Sequence, residues 1–263
     1  MPEVANGDVT LWYSERGDPA GTPVVLLHGL FLSRRTFERL AARLPTHRLL
    51  LLDLRGHGRS GRPQEAAAYS WERMASDVAA LLDHLGIEKA VIGGMSLGAD
   101  VTLAFAALYP GRIQAAIVEM PVLEAGRPTA DAVFGALAKG LDAAGWVVRP
   151  LSSASKRLRR ARQPELAALA DVLSLEPRAG SAMLRTLLTD HEDVRAGPAA
   201  LAEGKVPTLV IGHRHDPMHP LADAEEVVAA VPGSQLEVVS SLAELRLRPD
   251  RYAEVVGGFL DRL

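Results

Sequence analysis

Short apolar runs alternate with longer stretches of helical periodicity through the first 120 residues. The runs are Val24–Leu27, Arg48–Leu52, Ala90–Gly93 and Ile113–Met120. A strand that is apolar at nearly every position is buried on both faces. Strands separated by helices must be joined by crossovers, and crossovers make neighbouring strands parallel. The intervening helical stretches are Arg34–Leu44, a helix from an N-cap at Ser70 to Leu85 closed by Gly86, and Leu97–Tyr109 closed by Pro110-Gly111. Val9–Tyr13 reads as an opening strand. These features place the chain in the α/β class, with a mostly parallel, doubly wound sheet.

After Pro121 the rhythm breaks. Helical patterns dominate to about Pro198, in Ala130–Ala144, Pro164–Leu175 and Ala179–Leu188, with no strong strand between them. Residues 121–198 are therefore expected to form a helical cap inserted into a core domain made of residues 1–120 and 199–263. Strand and helix then resume with Thr208–Gly212, Ala222–Val231, Leu236–Ser240 and a terminal helix Arg248–Leu263. With 48% hydrophobic residues in 263, the chain can bury a sizeable core.

Several functions are excluded by composition. There is no cysteine, so thiolate nucleophiles, disulfides and thiolate-bound metals are absent. With 29 basic against 32 acidic residues, the chain carries no electrostatic footprint for nucleic acid. No apolar stretch approaches the ~20 residues that span a bilayer. The N-terminal segment, with Glu3, Asp8, Glu15 and Asp18, does not read as a secretory signal. A cytoplasmic protein with no membrane or nucleic-acid partner is expected. The basic run Lys156, Arg157, Arg159, Arg160 and Arg162 reads as a solvated face of one cap helix.

The segment Gly94-Met95-Ser96-Leu97-Gly98 lies between an expected strand and an expected helix. In a G-x-S-x-G turn the serine sits on a sharp, strained strand-to-helix bend, and small residues two positions to either side let strand and helix pass closely. Such a bend puts the serine Oγ at the C-terminal edge of the sheet. It also aims a helix N-terminus at any negative charge that develops there.

Together with Leu27-His28-Gly29-Leu30-Phe31, Asp53-Leu54-Arg55-Gly56-His57-Gly58-Arg59-Ser60 and Gly212-His213-Arg214-His215-Asp216-Pro217, this segment makes the chain resemble α/β-hydrolase-fold proteins over nearly its whole length. The resemblance implies that Ser96 is the nucleophile and that the backbone N–H groups of Leu30 and Leu97 form an oxyanion hole. It also implies that Asp216, after the strand Thr208–Gly212, is the acid of a triad. The glycines and Arg55 of the second segment are expected to fix a tight turn, with His57 a structural hydrogen-bonder.

One element of the family pattern is missing. Relatives carry the triad histidine between the last strand and the last helix, here at or near Leu242, and this chain has no histidine after His219. A serine without an adjacent base is a poor nucleophile near neutral pH. His219, three residues past Asp216, is the first substitute. Glu119, at the catalytic edge of the Ile113–Val118 strand, is the second, since a buried carboxylate there must find a partner or take a raised pKa. Glu244 is the third, with Arg246 as its expected ion-pair partner. Asp100 reads as a first-turn carboxylate that complements the helix dipole. The cluster His213, His215, Asp216 and His219 has imidazole and carboxylate spacing that suits a metal, but the hydrolase resemblance already accounts for the segment, and no metal or other cofactor is expected.

The resulting expectation is a serine-dependent hydrolase of small esters, lactones or thioesters, acting on an apolar or ester-like substrate beneath the cap. In it His219 and Asp216 replace the usual base. A lyase or isomerase pocket using Glu119, or a ligand-binding protein without turnover, is the alternative.

Overall fold

The structure, a computed structural model, describes residues 2–158, 170, 176–189 and 191–263. Eight strands form one sheet in the order β1-β2-β4-β3-β5-β6-β7-β8. They are β1 (Glu3–Asn6), β2 (Val9–Gly17), β3 (Pro23–Leu27), β4 (Arg48–Asp53), β5 (Ala90–Met95), β6 (Ile113–Glu119), β7 (Thr208–His213) and β8 (Gln235–Val239). β2 runs antiparallel to both β1 and β4, and every other pairing is parallel. The opening strand therefore has a partner that the sequence pattern does not suggest, a four-residue edge strand with only Val4 buried.

Period-two alternation explains why the central strands are apolar throughout. Val25, Leu27, Leu50 and Leu52 enter the core on one face of the sheet, while Val24, Leu26, Leu49 and Leu51 enter the core on the other. The expected helix Arg34–Leu44 is shorter and tighter than its pattern suggests: a 3-10 turn over Arg34–Phe37 leads into α1 (Glu38–Ala41). Helix α2 (Trp71–His84) is capped by the Ser70 hydroxyl, which accepts from the Arg73 N–H, and Gly86 follows it at positive φ. Helix α3 (Leu97–Leu108) follows β5 directly.

Beyond β6 the chain turns helical, with α4 (Arg127–Leu158) and α5 (Pro177–Leu187). The expected helix Pro164–Leu175 lies, apart from residue 170, outside the described residues, as do Arg159, Arg160 and Arg162 of the basic run. Asp223 ties the start of this region to the core: its carboxylate accepts from the N–H groups of Leu123, Ala125 and Gly126 at 2.8, 2.8 and 2.9 Å. Helix α6 (Glu192–Glu203) runs through Pro198 and packs on α3, close enough that a Cβ on Gly197 would stand 2.6 Å from Leu103. Helices α7 (Leu221–Ala230), α8 (Leu242–Leu247) and α9 (Pro249–Leu260) complete the chain. Among the described residues no helix is long and apolar enough to cross a membrane.

Candidate active site

Ser96 stands between β5 and α3 with φ 52° and ψ −121°, a backbone conformation that side-chain-bearing residues rarely adopt. The bend is possible because its flanks are bare. A Cβ on Gly94 would sit 2.3 Å from the Gly98 carbonyl, and one on Gly98 would sit 2.1 Å from the Leu27 oxygen. The Ser96 N–H is anchored on the Glu119 carbonyl at 2.9 Å, so β6 fixes the bend from the side.

His219 reaches this bend from the loop between β7 and α7. Its Nε2 lies 2.9 Å from Ser96 Oγ, and its Nδ1 lies 3.1 Å from Asp216 Oδ2. Asp216 Oδ1 also accepts from the Met218 and His219 N–H groups at 2.9 and 3.1 Å, which curls the loop back on itself. The carboxylate can only accept, so the ring proton sits on Nδ1 and the Nε2 lone pair faces the serine hydroxyl. Burial pushes the His219 pKa below the ordinary histidine value, against the opposing charge of Asp216. An imidazole held neutral is able to accept a proton. Burial works to raise the Asp216 pKa, but the imidazole and the hydrogen bonds from His219 and Met218 hold it below the usual carboxylate value.

The N–H groups of Leu30 and Leu97 have no hydrogen-bond partner among the described residues. Both residues line a narrow pocket beside Ser96. Its apolar wall includes Trp71, Val122, Phe134 and Leu187, and its polar lining is Asp100, Arg127, Asp131 and His191.

Glu119 is not brought to the serine hydroxyl. β6 turns its side chain to the other face of the sheet, where Glu119 Oε2 accepts from Tyr252 Oη at 2.6 Å and from Arg246 Nη2 at 2.9 Å. His213 Nε2 lies 3.5 Å from its other oxygen. Burial favours the neutral acid, but the Arg246 charge, with His213 and Tyr252, outweighs it and holds the carboxyl down to about 2. An ionised carboxylate enclosed by these partners is a structural group. Arg246 is thus not the partner of Glu244. Glu244 accepts from the Ser240 N–H and hydroxyl at 2.8 and 2.6 Å and lies 3.9 Å from Arg251. The segment in which the resemblance seeks a histidine has become α8, and its Arg246 enters the buried carboxylate cluster.

Asp100 lies in the first turn of α3, as its spacing suggests, but it does not face solvent. It is only 4% exposed, and its Oδ1 accepts from the Val122 N–H at 3.0 Å. Burial pushes its carboxyl well above the usual range. Sequence spacing places it one turn after Ser96, but its enclosure depends on the chain beyond β6. His57 is buried edge-on to His28, and its Nδ1 lies 2.9 Å from the Arg55 carbonyl. Burial takes its pKa down to about 3. The histidines around Asp216 are dispersed: His213 faces Glu119, His215 is exposed and His219 faces Ser96.

Residues 22–242 match the family model for the alpha/beta hydrolase fold. The AB hydrolase superfamily protein YisY of Bacillus subtilis is 30% identical over 240 residues, covering 87% of this chain and 86% of that protein. Among solved structures, the enol-lactonase from Burkholderia xenovorans LB400 superposes with a TM-score of 0.79 at 26% identity, covering 99% of this chain and 100% of that one. A thermophilic esterase from Thermogutta terrifontis gives 0.78 at 25% identity, covering 99% and 98%.

Proposed function

This chain belongs to the α/β-hydrolase-fold family, and from that premise we propose that it is a serine hydrolase of small esters, lactones or thioesters whose base has moved from the loop after β8 to the loop after β7. The observation that carries this reading is the hydrogen-bonded series from Asp216 through His219 to Ser96, at 3.1 and 2.9 Å. The esterase and lactonase among the structural neighbours support the substrate class. The described part of residues 121–198, which brings Val122, Arg127, Phe134 and Leu187 to the pocket, acts as its cap.

In the proposed reaction the Ser96 oxygen attacks the substrate carbonyl carbon while His219 Nε2 takes the hydroxyl proton. The carbonyl oxygen becomes an oxyanion held by the Leu30 and Leu97 N–H groups, at the N-terminus of α3. Asp216 stabilises the imidazolium. When the tetrahedral intermediate collapses, the bond to the leaving alcohol or thiol breaks and His219 returns the proton to it. A water molecule, deprotonated by His219, then attacks the acyl-serine carbonyl, and the acid departs as Ser96 regains its proton. No step needs a cofactor.

Steady-state hydrolysis of p-nitrophenyl butyrate by the purified wild type and Ser96→Ala tests the reading. Turnover by the wild type and its loss in the variant are expected. Equal rates in the two proteins, or no hydrolysis by the wild type of any ester, lactone or thioester, would overturn it.

A further inference from the structure

The pocket beside Ser96 has a polar group that the proposed reaction does not use. Asp100 lies four residues after Ser96 on α3, on the same side of the helix and about 6 Å further along its axis. One carboxyl oxygen, Oδ1, is taken by the Val122 N–H at 3.0 Å. The other has no partner among the described residues, although the side chain is buried and lines the pocket. A buried carboxyl that lacks a second partner is costly unless something bound there supplies one.

The other polar groups in the lining narrow what that partner is. Arg127 is the one arginine or lysine among the described lining residues, and its guanidinium is already engaged within the helical region. Its Nε lies 2.8 Å from Asp131 Oδ1, one Nη donates to the Leu188 carbonyl at 2.8 Å, and the other contacts His191 Nδ1. An acyl carboxylate would therefore meet Asp100 and Asp131 beside a single guanidinium whose charge Asp131 already offsets. Since Oδ1 accepts from Val122, the acid proton of Asp100 belongs on Oδ2, where it becomes a donor towards the pocket. Burial favours that protonated form. The rest of the described wall is hydrocarbon apart from Ser96 and the indole of Trp71, which stands edge-on to His191. The group that stays attached to Ser96 after the first half-reaction, the acyl group, is the one that requires an enclosed site next to the serine.

Building on the serine-hydrolase reading, we infer that Asp100 is a specificity-determining residue: the pocket takes neutral acyl groups that carry a hydrogen-bond-accepting oxygen, a hydroxyl or keto group, a few bonds from the scissile carbonyl. Plain alkyl chains leave Asp100 Oδ2 unpaired, and acyl carboxylates are repelled. A site built to hydrogen-bond a substrate oxygen discriminates against the analogue that lacks it because its own buried group is then stranded.

Three p-nitrophenyl esters provide the test: the hexanoate, its analogue with a keto oxygen one carbon from the chain end, and the glutarate monoester, which replaces that methyl ketone with a carboxylate. For the wild type, kcat/KM for the keto ester is expected to exceed that for the hexanoate by ~10–100-fold, with the glutarate ester slowest. In Asp100→Leu the keto-to-hexanoate ratio falls to about one. In Asp100→Asn it persists, since the amide nitrogen donates while Oδ1 still accepts from Val122. The ratio is taken within one preparation, so partial misfolding of a variant does not alter it. A ratio near one in the wild type that still cleaves hexanoate in a His219-dependent manner overturns this inference alone, as does an unchanged ratio in Asp100→Leu. Absence of turnover of all three esters brings down this inference and the hydrolase reading together.

Discussion

Arg246 Nη2 donates to Glu119 Oε2 at 2.9 Å across 127 residues of sequence, joining α8 to the C-terminal end of β6. The same guanidinium lies 4.5 Å from the centre of the Tyr252 ring, and Tyr252 shares the carboxylate. The backbone of Glu119 also holds the Ser96 N–H, so the integrity of this cluster bears on the Ser96 bend.

Removing one partner of a buried ion pair leaves the other charge uncompensated. Arg246→Met is expected to lower stability by about 3–5 kcal/mol, read by urea denaturation at neutral pH. An effect under 1 kcal/mol would mean that the pair is solvated. The pH dependence has a definite sign. Glu119 is held down to about 2 when folded, against an ordinary value of 4.5. Its stabilisation is therefore present above the unfolded value and is lost as pH falls from about 4.5 through about 2. Glu119→Gln should flatten that acid limb of the stability profile.

His219→Ala should reduce kcat for p-nitrophenyl butyrate by at least ~10³-fold with the fold retained by circular dichroism, since the imidazole at Ser96 Oγ is lost. Glu244→Gln should leave kcat within about twofold, because that carboxylate is spent on Ser240 at the surface. A reversal of these two effects would place the base in α8.

The acid limb of kcat/KM reports the group that must be neutral in the free enzyme. Burial lowers the His219 pKa and Asp216 raises it. The limb should therefore fall below the ordinary histidine value of about 6.5. In Asp216→Asn it should move further down while kcat itself drops. An upward move in Asp216→Asn would show that Asp216 does not act on the imidazole.

Gly98→Ala should prevent Ser96 from reaching its observed conformation, since the new methyl carbon would meet the Leu27 oxygen at 2.1 Å. A cost of several kcal/mol in stability, or loss of ester turnover, is the expected outcome of a thermal melt and a rate assay. A variant as stable and active as the wild type would mean that the elbow is not sterically set.

What could be read in the sequence was set by short-range constraints. The elbow is legible because its glycines fall in one five-residue pattern, although Gly94 is pressed on Gly98 and Gly98 on the distant Leu27 oxygen. The central strands are legible because burial on both faces removes every polar position. Asp216 and His219 can be paired from sequence because they lie three positions apart on one loop. The first-turn position of Asp100 is legible but its burial is not, because that depends on Val122, 22 residues away, folding over it. Arg246 reads as the partner of the nearby Glu244 for the same reason: proximity in sequence is visible and the tertiary approach to Glu119 is not. The edge strand Glu3–Asn6 escaped because one buried side chain leaves no period to detect.

The relocated base is tested most directly by covalent labelling of Ser96. Wild type and His219→Gln are exposed to a fluorophosphonate at neutral pH, and intact mass is followed with time. A single adduct that maps to Ser96 in the wild type, forming at least ~10²-fold more slowly in His219→Gln, is the predicted result. A wild type that stays unlabelled, or labelling at the same rate in both proteins, would contradict the assignment of His219 as the base.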